Sequence, residues 1–357
     1  MQEYLNISTF FIGFSTAFFT IFAIHILCFR DRRTRYQTIL GVVMAVWAVS
    51  NMKDLVTTFP GLYTEHVLDW IMIIDGWSAL TYTILVFEVV MPGRTTMKRL
   101  SLLSMPFAIF TVIYAAFPTK EVIYAYCIFL WCYAWAVIAI GYVKAKRHIS
   151  YVRSNYSNID DIDVSWLRPV FIFAIVSQLS WLLTSLCATV AADILYYVST
   201  LVLWLMVLKY SWNFRPVVIS GQEHSRPQQQ QSVLPLAAGT LESLMEQQSL
   251  YLNADLTLQD LATMMHTNRT YLSQYLRDNV GQTFYDYINR LRIEKKSIPM
   301  MREHPEYTLE YVAQQSGFGS ISTFRRAFQK FTGMSPSQFT LQPLSSLRQV
   351  PPASSQP

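Results

Sequence analysis

Residues 317–336 read GFGSISTFRRAFQKFTGMSP and predict a tight turn followed by an amphipathic helix. A helix is predicted from Ser320 to Phe331, and Gly333 supplies a helix stop because glycine tolerates positive φ. Phe324 and Phe328 recur at helical spacing and predict the buried face. The exposed side includes Ile321, Ser322, Arg325, Arg326 and Lys330, so this helix is expected to be packed on one side and open on the other.

A supporting helix precedes the turn, and the same pattern occurs earlier in the chain. Leu309, Val312 and Ala313 form the apolar face of the supporting helix before Gly317. In the earlier copy, the stretch TLQD at 257–260 has the spacing of a capping box and begins another apolar periodic segment. The chain therefore carries two copies of a supporting helix followed by a turn.

The earlier copy also has a second helix. After a turn at 266–267, Asn268 can cap a helix over 269–279 that buries Leu272 and Leu276. Each copy thus has the order of a helix-turn-helix motif, in which the second helix enters the major groove of DNA with its N-terminal residues on base edges.

One connecting helix is predicted between the motifs, from Thr283 to about Ile298, with Phe284, Tyr287 and Leu291 on its apolar face. At 1.5 Å per residue it would span about 24 Å. With the widths of the motifs added, that length suits two recognition helices in adjacent major grooves, about 34 Å apart.

These residues resemble the DNA-binding domain of the AraC/XylS-type transcriptional regulators over about 100 of the 357 residues. Two positions depart from the family pattern. Pro299 lies where the connecting helix normally continues, so we expect that helix to kink or end early, and His266 occupies a turn position that is often glycine. The resemblance is carried by NADLTLQDLA at 253–262, YLS at 271–273, YINRLRIEK at 287–295, GF at 317–318 and TFRRAFQKFTGMSP at 323–336.

The resemblance implies a unit that reads two neighbouring major grooves, usually to activate transcription. Carried over by position, base contacts fall on Thr270, Ser273, Gln274, Ile321, Ser322 and Arg326. Arg326 is the strongest candidate, because arginine can bind guanine O6 and N7 together, which contributes about 1–3 kcal/mol of discrimination. The full set of expected DNA-binding residues is Asn268, Arg269, Thr270, Ser273, Gln274, Arg277, Ser320, Ile321, Ser322, Arg325, Arg326 and Lys330.

Net charge does not by itself indicate DNA binding. Residues 241–340 contain ten Lys or Arg and ten Asp or Glu, so the module is formally neutral. Within 311–340, however, Arg325, Arg326 and Lys330 have no acidic neighbour. We therefore expect positive charge to be concentrated on the second motif, with modest non-specific affinity and a shallow salt dependence.

The first 212 residues have a different composition. Charged residues make up 14% of the chain, against about 25% in an average globular protein, and the deficit lies in this part. A membrane span needs roughly 20 mostly apolar residues, and seven segments qualify. They lie near Ile7–Phe29, Ile39–Phe59, Val67–Met91, Leu100–Phe117, Val122–Val143, Trp166–Val190 and Ile194–Trp212.

The basic residues between these segments predict their orientation. Eleven Lys or Arg residues lie in the loops after segments one, three and five, whereas the alternate loops contain only Lys120. Because basic loops stay in the cytoplasm, the N-terminus is expected outside and the C-terminus inside. The expected location is the bacterial cytoplasmic membrane, crossed several times, with the DNA-binding domain in the cytoplasm.

Ionisable residues in the second and third segments leave two interpretations open. Lys53, Asp54, Asp69 and Asp75 fall inside these segments or at their ends. Such groups are costly in a bilayer and usually face a cavity or a partner. They form either a sensor pocket open to the outside or an internal Lys–Asp pair that fixes packing.

No catalytic constellation is recognisable in the sequence. It lacks a phosphate-binding glycine loop, a nucleophile elbow, a kinase motif and metal-ligand spacing. We therefore expect a protein that is not an enzyme and has no cofactor or metal.

Together these features predict an all-α protein. It would comprise a polytopic transmembrane helical bundle of about seven spans (1–212), a flexible Gln/Pro-rich linker (213–239), a soluble domain of two helix-turn-helix motifs joined by a connecting helix (240–341) and a disordered tail (342–357). The expected partners are double-stranded DNA and the lipid bilayer. Further candidates are RNA polymerase, a second copy of the chain, and an unknown small-molecule or membrane-protein signal.

Three functions are compatible with this organisation. The leading one is a transcription factor whose membrane domain senses a signal. The second keeps DNA binding and makes the spans a passive anchor. The third is a membrane carrier or interaction protein whose helical module binds protein.

Overall fold

The computed structural model describes residues 2–30, 33–54, 64–187, 190–212, 214–217 and 240–341. Over these residues the protein is all-α, and its one β-type pairing is an isolated bridge between Tyr156 and Thr257. Most of the expected linker at 213–239 and the whole expected tail at 342–357 lie outside the described residues.

The chain divides into two compact units. The apolar unit comprises Met1–His148 and Val164–Ile219, and the C-terminal unit comprises Ile149–Asp163 and Ser220–Pro357. The fifteen-residue stretch Ile149–Asp163, called segment 149–163 below, therefore groups with the C-terminal unit, although it lies between two apolar stretches in the sequence.

Eight helices are described before residue 213. They are α1 (Gln2–Cys28), α2 (Arg35–Asp54), α3 (Glu65–Gly76), α4 (Ser78–Val90), α5 (Met97–Ala116), α6 (Lys120–Asn155), α7 (Leu167–Cys187) and α8 (Val190–Ser211). Among the described residues, five stretches are long and apolar enough to cross a membrane. They are Thr9–Cys28, Glu65–Val90, Met97–Ala116, Lys120–Asn155 and Ile194–Ser211.

Of the seven expected spans, five therefore have a counterpart that is long and apolar enough to cross a membrane. Helix α2 is not among them, and it carries several polar and charged residues, including Gln37, Asn51, Lys53 and Asp54. The apolar part of α7, Leu167–Leu183, is shorter than the others.

Aromatic rings pack four helices of the apolar unit together. The ring of Trp47 on α2 lies 5.4 Å from Phe19 on α1 and 5.5 Å from Trp204 on α8. Trp204 in turn stacks on Tyr82 of α4 at 5.3 Å. The indole nitrogen of Trp47 donates to Thr81 Oγ1 at 2.9 Å. Close packing and such interhelical hydrogen bonds hold helices together where lipid offers no hydrophobic driving force.

The apolar stretch Glu65–Val90 is a pair of helices that meet at Trp77, where α3 ends and α4 begins. Gly76 allows a close approach here, because a Cβ at this position would lie 2.1 Å from the hydroxyl oxygen of Tyr126. That hydroxyl donates to the carbonyl of Ile73 at 3.1 Å. A side chain larger than glycine would therefore separate α3 from α6.

Eight further helices are described in the C-terminal unit. They are α9 (Thr240–Gln247), α10 (Leu258–Met264), α11 (Arg269–Asn279), α12 (Phe284–Leu291), α13 (Ile298–Glu303), α14 (Leu309–Gln315), α15 (Ile321–Thr332) and α16 (Pro336–Thr340). Two hydrophobic cores lie in this unit. The first is built around Leu261, Leu272 and Ile288, and the second around Val312, Phe324 and Phe328.

The connecting helix continues through the proline that was expected to kink or end it. Pro299 has no N–H, and its ring would clash with the carbonyl four residues earlier in a regular α-helix. The chain accommodates it with a π-helical stretch, Arg292–Ser297, between α12 and α13. Helical backbone thus extends from Phe284 to Glu303 and does not end at Pro299.

The two helix-turn-helix turns have the same backbone geometry but different residues. His266 has φ 51° and Gly317 has φ 81°, both in the left-handed region. The next N–H bonds back in each case, from Thr267 to the carbonyl of Ala262 at 2.9 Å and from Phe318 to that of Ala313 at 3.0 Å. A Cβ on Gly317 would also lie 2.5 Å from the carbonyl oxygen of Leu252. The second turn therefore requires glycine for two reasons, whereas the first accommodates histidine.

We expect Gly317→Ala to destabilise the C-terminal unit by roughly 2–3 kcal/mol, because strained backbone and a steric clash add together. His266→Gly should change stability by no more than about 1 kcal/mol, since relief of strain is offset by the greater freedom of glycine when unfolded. Thermal unfolding of the detergent-solubilised chain, followed by protease susceptibility of the C-terminal unit, measures both. Equal losses in the two variants would contradict the assignment of the two turns.

Candidate DNA-binding interface

The first motif has the capping interactions that the sequence predicts. Before α10, the Thr257 hydroxyl accepts from the Asp260 N–H at 3.2 Å, and the Asp260 carboxylate accepts from the Thr257 N–H at 3.0 Å. Before α11, the Asn268 side chain accepts from the Tyr271 N–H at 2.8 Å. Asn268 was expected to bind DNA, and in the structure its side chain holds the start of α11.

The outward face of α11 carries the polar side chains expected there. Thr270, Gln274 and Arg277 are exposed, and Ser273 is half-buried. On the opposite face Leu272 and Leu276 are buried in the first core, as the spacing predicts. The helix therefore offers a polar surface held in place by an apolar one. The remaining expected residue, Arg269, is half-buried with its guanidinium 5.9 Å from the ring of Tyr151.

The second motif repeats this arrangement. The Ser320 hydroxyl caps α15 by accepting from the Thr323 N–H at 3.2 Å. Phe324 and Phe328 are fully buried in the second core, as the spacing predicts. Ile321 is half-buried, and the exposed residues of α15 include Ser322, Arg325, Arg326 and Lys330. As with Asn268, the side chain of Ser320 has a capping role in addition to any contact with DNA.

Carboxylates distant in the sequence lie beside two of the basic residues of α15. Lys330 forms an ion pair with Asp286 of α12 at 2.7 Å. An Nη2 of Arg326 lies 4.0 Å from the Asp160 carboxylate and donates to Thr323 Oγ1 at 3.0 Å. The sequence shows no acidic residue within 311–340, but the fold brings carboxylates from other segments beside Arg326 and Lys330.

Arg292, which sequence reasoning did not single out, is the most extensively hydrogen-bonded side chain of the unit. It is 1% exposed, and its five N–H groups make five bonds. The acceptors are the Tyr251 carbonyl (2.6 Å), the Asn253 carbonyl (2.8 Å), Asn289 Oδ1 (3.1 Å), the Ser157 carbonyl (3.1 Å) and Ser157 Oγ (3.3 Å). Burial lowers the pKa of Arg292 to about 10, so it stays charged at neutral pH.

Arg292 had one sequence signal. It follows Ile288 by four residues, and Ile288 follows Phe284 by four, so all three share the apolar face of the connecting helix. An arginine at such a position predicts a buried cation that must find acceptors.

Segment 149–163 packs against the loop that leads into α10. The Ser157 N–H donates to the carbonyl of Leu256 at 3.2 Å, and its hydroxyl donates to that of Ala254, also at 3.2 Å. Tyr156 forms the isolated antiparallel bridge with Thr257. Together with the two bonds from Arg292, these contacts engage every polar atom of Ser157, which is 1% exposed.

The same segment reaches the N-terminal end of both candidate recognition helices. At α11, the ring of Tyr151 lies beside Arg269. At α15, the amide of Asn158 lies over Gly319, where an added Cβ would come within 2.2 Å of Asn158 Nδ2. Two residues on, Asp160 accepts a hydrogen bond from Thr323 Oγ1.

The four ionisable residues expected to form a sensor pocket fall into two ion-paired groups in the apolar unit. The Lys53 ammonium contacts Asp54 and Asp75, each at 2.5 Å. Asp69 pairs instead with Lys120 at 3.0 Å and accepts from the Tyr114 hydroxyl at 3.2 Å. Internal Lys–Asp pairing, one of the two interpretations left open, is therefore present.

A cavity of about 160 Å³ lies in the apolar unit, and of the four residues only Asp75 lines it. Its walls come from α2, α3, α4, α6, α7 and α8 and are mainly apolar and aromatic. The polar groups include Ser177 and Gln178, and the large rings are Tyr36, Trp47, Tyr82, Tyr133, Trp166, Trp181, Tyr196 and Trp204. Such a lining suits a mostly apolar molecule with one or two polar groups. Among the described residues, no cluster of His, Cys, Asp or Glu could hold a metal ion.

Comparisons with known proteins concern the C-terminal unit. The family described as "Helix-turn-helix domain" matches residues 261–342. An uncharacterized HTH-type transcriptional regulator of Staphylococcus aureus is 29% identical over 90 residues, which is 25% of this chain and 12% of the relative. An uncharacterized HTH-type transcriptional regulator of Bacillus subtilis is 35% identical over 81 residues, 23% of this chain and 33% of the relative.

An uncharacterized response regulatory protein of Staphylococcus epidermidis is 33% identical over 86 residues, 24% of this chain and 33% of the relative. The chain thus matches a third or less of the length of these relatives. No solved structure matches the chain. The family match, the relatives and the two capped helix pairs agree that residues 261–342 form an AraC-type helix-turn-helix domain.

Proposed function

We propose that the chain is a membrane-anchored, one-component transcriptional regulator that binds double-stranded DNA through two helix-turn-helix motifs in adjacent major grooves. The observation that carries the proposal is the pair α11 and α15. Each helix is capped at its N-terminus, buried on one face and polar on the other. That is the arrangement in which N-terminal side chains of a recognition helix reach base edges.

Base reading is assigned to the exposed residues near these N-termini. Thr270 and Gln274 on α11 and Ser322 and Arg326 on α15 are exposed. Arg326 is 63% exposed and can turn from Thr323 to a guanine edge. Arg277, Arg325 and Lys330 are also exposed on the two helices and suit phosphate contacts, which position the protein without reading sequence.

Membrane anchoring is supported by the five long apolar stretches. Their side chains include many exposed apolar groups, such as Phe14, Val112, Ile128 and Leu183, which a soluble protein would not present to water in such number. The asymmetry of Lys and Arg between loops favours a cytoplasmic C-terminus. In bacteria that orientation gives the helix-turn-helix domain access to DNA.

Signal sensing is assigned to the cavity in the apolar unit. A concave, mainly apolar space with few polar groups is the usual form of a small-molecule site. Asp75 joins this space to the ion-paired group with Lys53, so occupancy of the cavity can alter that pairing. A passive anchor would not need such a space.

Base reading by Arg326 can be tested by substitution. Arg326→Ala should reduce discrimination between the selected DNA site and a scrambled site by about 5- to 150-fold, the equivalent of 1–3 kcal/mol. Arg326→Lys should restore charge but not discrimination, because lysine cannot bind guanine in a bidentate manner. Gel shifts with the detergent-solubilised full chain, on sites chosen by genomic selection, measure both.

Lys295→Ala is the matched control. Lys295 is exposed on the π-helical stretch and pairs with Glu246 at 2.7 Å, so its loss changes net charge equally without touching α15. We expect it to alter affinity less than about threefold, as is usual for a surface ion pair. If no sequence is preferred and Arg326→Ala changes nothing, sequence-specific DNA binding is refuted and the interpretation of a module that binds protein stands.

The membrane orientation can be tested with reporter fusions. Alkaline phosphatase fused after Lys120 should be active, because the loop between α5 and α6 is expected outside. The same enzyme fused after Asp161 should be inactive, since that position follows the basic end of α6. Green fluorescent protein at the same positions should give the reverse pattern, and activity of both phosphatase fusions would refute the orientation.

The role of the cavity can be tested by filling it. Ala134→Phe places a ring into the space from α6 and should abolish changes in reporter expression across growth conditions while leaving DNA binding intact. Ala139→Phe adds the same ring on the exposed face of the same helix and should leave the response unchanged. A response that survives both substitutions would favour the passive anchor.

A further inference from the structure

Segment 149–163 has contacts with the DNA-binding unit that anchoring and DNA reading do not require. It is acidic, with Asp160, Asp161 and Asp163 against the single cation Arg153. One stretch of chain therefore places negative charge on a unit whose proposed ligand is a polyanion.

The segment occupies positions that DNA would need. In a helix-turn-helix the N-terminal residues of the recognition helix approach base edges. Asn158 lies over Gly319, directly before the Ser320 cap of α15, and Asp160 bonds Thr323 in its first turn. Tyr151 lies beside Arg269, the first residue of α11.

Asp160 also engages the side chain to which base reading is assigned. Its carboxylate lies 4.0 Å from Arg326, and Thr323 Oγ1 accepts from Arg326 while donating to Asp160. A carboxylate held there repels phosphate and competes with guanine for the same cation. Its other oxygen, Oδ2, is buried without a hydrogen-bond partner among the described residues, so the contact is not optimal and can be displaced.

We infer that segment 149–163 is an autoinhibitory surface that must leave α15 before the protein binds its DNA site with full affinity. The segment comprises the C-terminal end of α6 and the loop that leads to α7, so a change in the apolar unit can be transmitted to it by the chain itself. The inference rests on the proposed DNA-binding function and specifies how it is regulated.

The main test is a comparison of full-length chains in lipid nanodiscs. Asp160→Asn removes the charge but retains the shape of the side chain, and it should bind the selected DNA site at least about tenfold more tightly than the unaltered chain, within the usual range of coupling between sites. Asp161→Asn makes the same charge change one residue away on an exposed side chain, and it should differ from the unaltered chain by less than twofold.

The outcomes separate failure of this inference from failure of the proposed function. If neither the unaltered chain nor Asp160→Asn selects any sequence, DNA binding itself is refuted. If both select the same site with equal affinity, DNA binding stands and autoinhibition is refuted. Weaker binding by Asp160→Asn would also refute it, because the segment would then support the DNA-binding form.

A covalent lock tests the same point without relying on Asp160. Cysteines at Asn158 and Gly319 bring two thiols together where the side chain now contacts the glycine. Oxidation should lower DNA affinity at least about tenfold, and reduction should restore it, whereas the two single-cysteine variants, which retain the four native cysteines, should not respond. Equal affinity in the locked and reduced forms would overturn the inference.

Discussion

The organisation of the C-terminal unit depends on one buried cation. Among the described residues, Arg292 has no carboxylate within hydrogen-bond reach, and its charge is offset by five neutral acceptors. Removing an ion from water costs several kcal/mol even after relaxation, and this is tolerated only when every donor is satisfied. The loop before α10 and the connecting helix must therefore keep their positions relative to this guanidinium, and if Ser157 leaves, its two bonds must be replaced by other acceptors. Lysine, with three donors in another geometry, could not replace it.

Local features of the domain could be predicted from the sequence because they depend on residues a few positions apart. The caps at Thr257 and Asn268 each bond to a backbone group three residues later. The buried faces of α11 and α15 follow the 3.6-residue period. His266 could be recognised as a turn position, and its left-handed φ agrees with that reading. These features define the two recognition helices but not what surrounds them.

The surroundings could not be predicted, because they depend on contacts between distant residues. Ser157 and Arg292 are 135 positions apart, and Asp160 and Thr323 are 163 apart. Charge counted over a window of sequence consequently showed α15 as free of acidic neighbours. The π-helical stretch was also hidden, since Pro299 predicts a disturbance of the helix but not whether the helix ends or widens. In the apolar unit, the hydropathy pattern likewise could not predict that Asp69 pairs with Lys120.

Ser157 explains how a buried anchor and a displaceable contact can coexist in one segment. If segment 149–163 withdraws, Arg292 keeps its bonds to Tyr251, Asn253 and Asn289 and loses only the two to Ser157. Water that enters the vacated position can accept those two N–H groups, so withdrawal costs far less than breaking the whole network. A coupling of about 1–3 kcal/mol is enough to change affinity 5- to 150-fold. A segment held by exchangeable bonds and continuous with two apolar helices is thus suited to pass a modest free-energy change to the DNA-binding surface.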